Sequence, residues 1–464
     1  MKKMLLWLMI CLLCPLFSLG EEALYPARVN GKWGYINAEG EMVIAPIWER
    51  AEPFSGTSAM VQGENGNGVI DRQGNILLEP VYPADDIASY PYIYRIWGED
   101  ETGDSKSAYF DPASGYLSPF IYDYIVDYFR DDPAAPMAVW TNDPPRLTYI
   151  IPATGEKAFE NEYDALYDDA EFYEGYALAS NEWIGYDEDG IACAWGPEFH
   201  LIDTAGKETL FPKGISPDSR VQEGYLRISR NLIQEEWETR DSGWGIVYGL
   251  AKPDGEIVIE PKYDYLEPPL KGCVTIHLDG LLGHIDLETG TVVEPRFYIG
   301  SGGELPDYHF RNGYALLNDV RLENGEWGQK LIDRKGNEIL SLGSQDEYSL
   351  VSSVFTPGGL CVYQKNRLYG LLKIEDGHVS FLTDAIYDEI MEWDEMGEID
   401  NPLAEGWLPV KLNGLWGYIN EDAETVLPPC WEEADLFRNG LAQVEKDGKM
   451  AYINLQGTVI WQEP

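Results

Sequence analysis

Short runs of alternating hydrophobic and polar residues follow one another along this chain, joined by turn sequences. The clearest run places Leu408, Val410 and Leu412 on one side of the chain, which is the period-two pattern of a half-buried β-strand. Asn413-Gly414 comes next, a pair suited to a two-residue hairpin turn. A second strand is predicted over 415–420, followed by another turn and a third strand. This order predicts a small antiparallel meander.

A turn of the form Ile-Asp/Asn-x-x-Gly recurs through the rest of the chain. Close copies end at Gly40, Gly74, Gly206, Gly336 and Gly457. Looser copies end at Gly115, Gly155, Gly255, Gly290 and Gly377, and Ala423 takes the glycine position once. Neighbouring turns are 34 to 51 residues apart, a spacing typical of solenoids and propellers.

After the turn, the regular copies have a strand that ends in proline, with an aromatic residue two positions later. The clearest examples are Pro46 with Trp48, Pro80 with Tyr82, Pro261 with Tyr263, Pro295 with Phe297, and Pro429 with Trp431. Proline is expected to end the hydrogen bonding of its strand, and the aromatic ring to pack between units.

The predicted fold class is therefore all-β, a tandem repeat of about eleven short antiparallel β-meanders. Each unit is expected to have three strands, and no pattern predicts a long helix. One meander is only marginally stable alone, so the units must stack. The arrangement is an open or spiralling array or is propeller-like. Eleven units exceed the usual four to eight blades, which favours the open array.

The N-terminal residues predict export. Lys2 and Lys3 precede an apolar run from Met4 to Phe17, and small residues follow, as in a secretory signal peptide spanning 1–20. The alternative is a membrane anchor, but the run is shorter than the ~20 residues that a spanning helix needs.

The remaining chain divides by the regularity of its repeats. Residues 21–85 carry regular repeats, 86–242 carry degenerate repeats with inserted loops, and 243–464 carry regular repeats again. Inserted loops are where repeat proteins usually hold their specificity. The alternative is sequence drift without function.

The negative charge of the chain argues against anionic partners. The 464-residue chain has a net charge of −47, which becomes −49 when Lys2 and Lys3 are removed with the signal peptide. Such a chain repels nucleic acid and anionic membrane surfaces. Cationic partners and divalent metal ions stay compatible with it.

Cysteine spacing indicates neither a zinc site nor a disulfide framework. Cys193, Cys273, Cys361 and Cys430 are far apart and form no CxxC pair, so they are expected to be small buried apolar residues. A single disulfide between neighbouring units is the alternative in an exported protein.

Neither a catalytic motif nor a cofactor motif is found. The best calcium candidates are Asp187 and Asp189, since calcium prefers oxygen ligands, but the segment lacks EF-hand spacing and a solvated acidic loop is the favoured interpretation. An Asp/Glu pair for glycoside hydrolysis is weakly indicated in a chain with 80 acidic residues.

The motifs Trp33-Gly34-Tyr35 and Trp416-Gly417-Tyr418 resemble those of the bacterial WG-repeat (KWG-repeat) family, and Trp244-Gly245 is a third partial copy. The resemblance implies an all-β repeat protein, commonly exported or surface-attached. Because the family has no assigned active site, it implies structural roles for these residues and no catalytic residue.

Together these observations predict an exported, non-catalytic binding or scaffold module at the bacterial cell envelope. Its partner is expected to be a protein or glycan, with no nucleic acid and no membrane span after signal cleavage. The alternative is a carbohydrate-active enzyme that uses an Asp/Glu pair. A binding role predicts an exposed aromatic or acidic patch outside the repeat register.

Overall fold

A computed structural model gives the structure of this chain. It describes residues 23–126, 130–163, 170–180, 199–233, 245–298, 310–343, 346–351, 356, 358–375, 377–391, 393–394, 397–398, 403 and 405–464. Within this part of the chain the secondary structure is β throughout, apart from a three-residue 3-10 turn at Ala84–Asp86.

The strands follow in chain order. The first are β1 (Tyr25–Val29), β2 (Lys32–Ile36), β3 (Met42–Trp48), β4 (Arg50–Ala51), β5 (Ser58–Gly63), β6 (Gly66–Asp71), β7 (Ile76–Tyr82), β8 (Ile87–Ser89), β9 (Tyr94–Glu99), β10 (Ser105–Asp111), β11 (Tyr116–Leu117), β12 (Tyr124–Val126), β13 (Met137–Asn142), β14 (Pro145–Ile150) and β15 (Lys157–Tyr163). The next are β16 (Tyr176–Ser180), β17 (Phe199–Asp203), β18 (Glu208–Thr209), β19 (Ser216–Pro217), β20 (Leu226–Asn231), β21 (Ile246–Ala251), β22 (Ile257–Tyr263), β23 (Tyr265–Leu266), β24 (Cys273–Leu278), β25 (Leu281–Asp286), β26 (Val292–Tyr298), β27 (Tyr314–Arg321), β28 (Trp327–Asp333) and β29 (Glu338–Gly343). The last are β30 (Ser349–Leu350), β31 (Leu360–Lys365), β32 (Leu368–Glu375), β33 (His378–Phe381), β34 (Glu389–Ile390), β35 (Trp393–Asp394), β36 (Gly397–Glu398), β37 (Leu408–Leu412), β38 (Leu415–Ile419), β39 (Thr425–Trp431), β40 (Glu433–Ala434), β41 (Leu441–Lys446), β42 (Lys449–Asn454) and β43 (Val459–Gln462).

The strands form small antiparallel sheets, each made of strands close together in sequence. In the described residues there are eleven sheets of three or four strands, plus the hairpin β35–β36. The eleven sheets correspond one to one with the eleven predicted turns, so the predicted all-β tandem repeat is confirmed. Most sheets have four strands rather than three, because a short strand that precedes each meander pairs with its first long strand.

Asn37 shows how the repeated turn is built. Its side-chain oxygen accepts the backbone N–H of Glu41 at 2.8 Å, and the N–H of Gly40 donates to the Asn37 carbonyl at 3.0 Å. Gly40 has a φ of +82°, which glycine adopts without a Cβ clash. Asp71 and Asp333 make the equivalent side-chain bond at 2.8 Å.

The strand that follows the turn continues beyond its proline. The prediction that the proline ends the hydrogen bonding of this strand was therefore wrong. Trp33 pairs with Trp48 of β3. Tyr35 pairs with Ile44, so three residues of β3 lie opposite the single residue Gly34. This β-bulge contains the proline, which has no N–H to donate. β22 and β39 show the same register shift.

Residue contacts divide the chain into two compact units, and the first combines the described part of 1–81 with 437–464. Within this unit the first sheet packs on the last strands of the chain. Their shared apolar cluster contains Tyr25, Ala27, Ile36, Leu441, Met450 and Tyr452. The hydroxyl of Tyr452 donates to the carbonyl of Pro26 at 3.0 Å. The two ends of an open array lie apart, so this contact between the first sheet and the last strands contradicts the preference for an open array.

The second unit spans 82–436 and contains eight of the eleven sheets. Its apolar clusters lie between sheets that follow one another in the sequence. One cluster joins Trp140 and Tyr149 of the sheet β12–β15 to Phe172 and Ala177 at the start of the next sheet. Large side chains thus fill the space between sheets, since a single meander has too little surface to bury them.

Candidate functional site

The glycines of the WG motifs lie against the proline bulge. A Cβ added at Gly34 would be 2.3 Å from the Ile44 carbonyl oxygen, and one added at Gly417 would be 2.7 Å from that of Leu427. Real Cβ atoms do not approach an oxygen this closely, so both positions require glycine. The contact between each of these glycines and its proline bulge therefore gives the glycines a structural role.

The tyrosines of the same motifs bridge to the following sheet. Tyr35 is fully buried, and its hydroxyl donates to the Glu52 carbonyl at 2.7 Å. Tyr418 is also fully buried, and its hydroxyl donates to the Asp435 carbonyl at 2.7 Å. Burial raises the pKa of Tyr418 far above its usual value. Each hydroxyl stays protonated and pairs with a carbonyl just after the next sheet's first short strand.

The tryptophans are covered by cations from the neighbouring strand. Arg28 lies over the half-buried ring of Trp33, with its guanidinium carbon 5.7 Å from the ring centre. Lys411 lies over the buried ring of Trp416 at 5.2 Å. These cation–π contacts hold each tryptophan beside a cation of the paired strand, and the Trp416 ring is almost fully buried.

The other predicted positions divide between described and undescribed residues. The Gly245 carbonyl accepts the backbone N–H of Leu232 at 2.7 Å, beside β20 and β21. Trp244, the calcium candidates Asp187 and Asp189, Cys193 and the signal segment 1–20 lie outside the described residues. Cys273 and Cys361 are buried in apolar clusters.

A cavity of about 620 Å³ lies on the ninth sheet, β30–β33. Three aromatic rings form its wall, those of Tyr348, Tyr363 and Phe381. Their ring centres are 5.0 to 5.6 Å apart, and each pair meets at 75° to 85°. Such edge-to-face packing is favourable and holds the rings in place. Phe381 is 52% exposed, so one large apolar ring faces the cavity and the solvent. We call this the ninth-sheet pocket.

The pocket occurs where the repeat departs from its pattern. In other sheets the residue paired with the motif glycine is small or aliphatic, as with Ala27, Val61, Ile276 and Val410. In the ninth sheet Tyr363 pairs with Gly370, and a Cβ on Gly370 would be 2.6 Å from the Tyr363 ring. The glycine here accommodates an aromatic ring from the preceding strand.

The last strand of this sheet also lacks the usual proline. β32 and β33 pair without a register shift from Glu375–His378 to Leu372–Phe381. Phe381 therefore ends the regularly paired part of β33, and the chain pairs again only at Tyr387, which bridges to Tyr369. The hydroxyl of Tyr363 donates to the Thr383 carbonyl at 2.8 Å, which fixes the orientation of its ring.

Acidic side chains surround the aromatic wall. Asp346, Glu347 and Asp384 line the pocket together with one cation, Lys365. Lys365 pairs with Glu347 at 2.5 Å, and this hydrogen bond lowers the pKa of Glu347 and raises that of Lys365. Asp346 accepts the backbone N–H of Gly343 at 2.6 Å. The pocket thus combines fixed aromatic rings with an excess of negative charge.

Sequence reasoning missed all three pocket aromatics, although two signals were present. The turn ending at Gly377 is followed by no proline, and Tyr363 replaces a small residue opposite the motif glycine. Aromatic residues that recur once in each repeat are predicted to be packing residues. Tyr35 and Tyr418 are residues of this kind. Tyr363 and Phe381 differ because they lie where the repeat changes.

Among the described residues, no group of three or more His, Cys, Asp or Glu side chains is arranged to hold a metal ion. No described helix is long and apolar enough to span a bilayer.

Comparison with known proteins identifies repeats in this chain. The family described as "WG containing repeat" matches residues 33–64, 248–280 and 416–449. These matches include Trp33-Gly34-Tyr35 and Trp416-Gly417-Tyr418. No curated protein matches the chain.

Several solved structures are similar over much of the chain. A eukaryotic initiation factor has 9% identity and a TM-score of 0.39, with 96% of each chain covered. BamB from Moraxella catarrhalis has 10% identity and a TM-score of 0.26, covering 94% of this chain and 98% of that one. AztD from Citrobacter koseri has 10% identity and a TM-score of 0.21, covering 57% and 77%. Likeness at this level gives no argument about what this chain binds.

Proposed function

We propose that this chain, a member of the WG-containing repeat family, is an exported binding or scaffold protein of the bacterial cell envelope that holds a partner in the ninth-sheet pocket. The observation that carries the proposal is the aromatic wall of Tyr348, Tyr363 and Phe381. It is a partly exposed aromatic and acidic patch at residues where this unit differs from the other repeats.

The size and lining of the pocket support binding. About 620 Å³ lies within the range of ligand pockets, which are mostly apolar with a few polar groups that orient the ligand. The rings are held by their mutual packing and by the hydrogen bond from Tyr363 to Thr383. A wall already fixed in the free protein loses little entropy when a ligand binds.

The electrostatics of the pocket favour binding over glycoside hydrolysis. A glycosidase needs one carboxylic acid whose raised pKa keeps it protonated as a proton donor. In the pocket Lys365 lowers the pKa of Glu347, which therefore stays a carboxylate. We propose that the protein acts without catalysis and without a cofactor. If calcium stabilised the chain, its melting temperature would fall when a chelator is added.

A paired binding experiment tests the proposed function. The exported chain is immobilised, exposed to a bacterial envelope extract and, separately, to a glycan array. The variant Phe381→Ala is treated in the same way. Partners captured by the unmodified chain, and rebound after purification, are expected to be lost with the variant. Equal capture by both proteins would contradict a partner site at the pocket.

Export is part of the proposal and is tested separately. It is supported by the sequence alone, through Lys2, Lys3 and the apolar run Met4 to Phe17, as in a signal peptide. We expect N-terminal sequencing of the exported protein to begin at Glu21. Recovery of the chain inside the cell with its first 20 residues intact would contradict export.

A further inference from the structure

Within the proposed binding role, on which this inference rests, we propose that the ninth-sheet pocket binds a basic peptide segment by taking up its lysine or arginine side chains. The proposal depends on three features of the pocket: its charge, the geometry of its rings and its size.

The charge of the pocket selects for cations. Among the described lining residues, three carboxylates (Asp346, Glu347 and Asp384) accompany one cation, Lys365, which gives these residues a net charge of −2. Glu347 and Lys365 neutralise each other by their ion pair. Asp346 and Asp384 supply the net charge. Both carboxylates lie near the rings. Burial raises the pKa of Tyr348 and of Tyr363, and the charge of Asp346 adds to the shift of Tyr348 as that of Asp384 does to the shift of Tyr363.

The ring geometry suits a cation that is partly desolvated. The face of an aromatic ring carries partial negative charge, and a lysine or arginine within about 6 Å of its centre is attracted. Phe381 meets Tyr348 at 83° and Tyr363 at 85°, so the three rings present differently oriented surfaces to one cavity. The same chain already uses this contact internally, with Lys411 over Trp416 at 5.2 Å.

Neutral sugars also stack on aromatic rings, but they fit the remaining features less well. A neutral ligand gains nothing from the net charge of the lining. The hydroxyl of Tyr363 already donates to the Thr383 carbonyl, and Glu347 is paired with Lys365. The polar groups left for a ligand are therefore chiefly carboxylate oxygens, which accept hydrogen bonds from ammonium and guanidinium groups.

The volume favours a peptide over a single small cation. A cavity of about 620 Å³ is several times larger than one lysine side chain. A segment with two or more basic residues fills more of it and places one cation on the rings and another beside Asp346 or Asp384. The charge of −47 on the whole chain would accelerate encounter with such a segment.

The test uses the whole exported chain and a synthetic twelve-residue peptide rich in lysine and arginine. Binding is measured by calorimetry at two salt concentrations, with a peptide of the same length carrying acetyl-lysine and citrulline as the uncharged comparison. We expect the basic peptide to bind and the uncharged one to bind at least about tenfold more weakly. Equal binding of both peptides would overturn the inference.

Matched variants locate the site. Phe381→Ala removes the exposed ring and is expected to weaken peptide binding about tenfold. Val459→Ala is its control, since Val459 is 51% exposed in β43 and lies in the equivalent last strand of another sheet. Asp384→Asn is expected to weaken binding severalfold, whereas Asp422→Asn, at an exposed turn elsewhere, is expected to leave it unchanged. All four positions are surface side chains, so the variants should fold.

The outcomes separate this inference from the proposed function. If Asp422→Asn weakens binding as much as Asp384→Asn, the attraction is diffuse and the pocket assignment is overturned. If a neutral glycan binds and Phe381→Ala abolishes that binding while the basic peptide does not bind, the inference fails and the binding role stands. If neither ligand class responds to Phe381→Ala, both fail.

Discussion

The carboxylate of Glu174 accepts the backbone N–H groups of Glu223 and Gly224, at 2.6 and 2.7 Å, in the following sheet. Glu223 repeats the contact one sheet further, accepting the N–H of Gly272 at 2.7 Å. Glu223 and Gly224 both have positive φ, so their N–H groups converge on one anion. Successive turns are thus linked, because each glutamate binds the turn of the following sheet and that turn carries the next glutamate.

We expect Glu174→Ala to loosen the turn at Glu223 locally. Hydrogen bonds to a charged acceptor contribute more than neutral ones, but this carboxylate is exposed, so we expect a loss of about 1 kcal/mol. That loss corresponds to about fivefold faster hydrogen exchange at Gly224. Glu160→Ala, which removes an exposed glutamate from β15, is the control. Unchanged exchange at Gly224 would show that the contact contributes nothing.

The bulge makes Gly34 intolerant of a side chain. Gly34→Ala would place a Cβ 2.3 Å from the Ile44 carbonyl oxygen, and we expect it to lower the free energy of unfolding by about 2 to 3 kcal/mol. At Gly63 the nearest atoms are those of the Pro80 ring, at 3.2 Å. Gly63→Ala should therefore cost clearly less. Chemical denaturation of both variants checks the order, and equal losses would contradict the role assigned to the bulge.

Ala423 adopts the conformation that glycine adopts in the other turns. Its φ is +61°, which costs an L-residue about 1 to 2 kcal/mol. After allowing for the greater freedom of glycine in the unfolded chain, Ala423→Gly should stabilise the fold by about 0.5 to 1 kcal/mol. The reverse change, Gly290→Ala, has a φ of +69° and open space around it, so it should destabilise by a similar amount. Thermal unfolding that shows no gain for Ala423→Gly would refute the strain argument.

His277 makes the fold sensitive to acid. Its Nε2 is buried without a hydrogen-bond partner among the described residues, and burial lowers the pKa of the ring to about 4, against the opposing charge of Asp264. In the unfolded chain the ring titrates near its usual 6.5. Between these two values the unfolded state binds more protons, so the free energy of unfolding falls as the pH decreases from about 6.5 to about 4.

This effect should be at most about 3 kcal/mol, and it should be fully absent from the variant His277→Leu. Denaturation of both proteins across this pH range measures the difference. His378→Leu is the control, because His378 is exposed in β33 and should keep the original pH dependence. If both variants follow the unmodified chain, another group causes the acid sensitivity.

Features set by neighbouring residues could be predicted from the sequence. The turn at Asn37 and Gly40 depends on contacts within five residues, and the pair occurs in recognisable form along the chain. Gly417 could be recognised because it belongs to a WG motif within a predicted strand. The alternation of hydrophobic and polar residues also indicated the all-β class, because it is a pattern within short segments.

Contacts between distant residues could not be predicted in this way. Arg28 binds Glu463 through two hydrogen bonds of 2.7 and 2.9 Å, although 435 residues separate them. No local pattern distinguishes this closing arrangement from an open one. The pocket was missed for a related reason: Tyr363 has the periodicity of a packing residue, and only its pairing with Gly370 shows that it replaces a small side chain.

The proline bulge also affects whether the sheet edges of two molecules can pair. β3 and β7 are the terminal strands of their sheets, and they expose Ile47 and Val81, at 62% and 55%. An unprotected edge of this kind recruits strands from other copies and seeds fibrils. Pro46 and Pro80 interrupt the row of amide donors that such growth requires. A protein with many sheet edges is thereby kept from polymerising, even at high concentration.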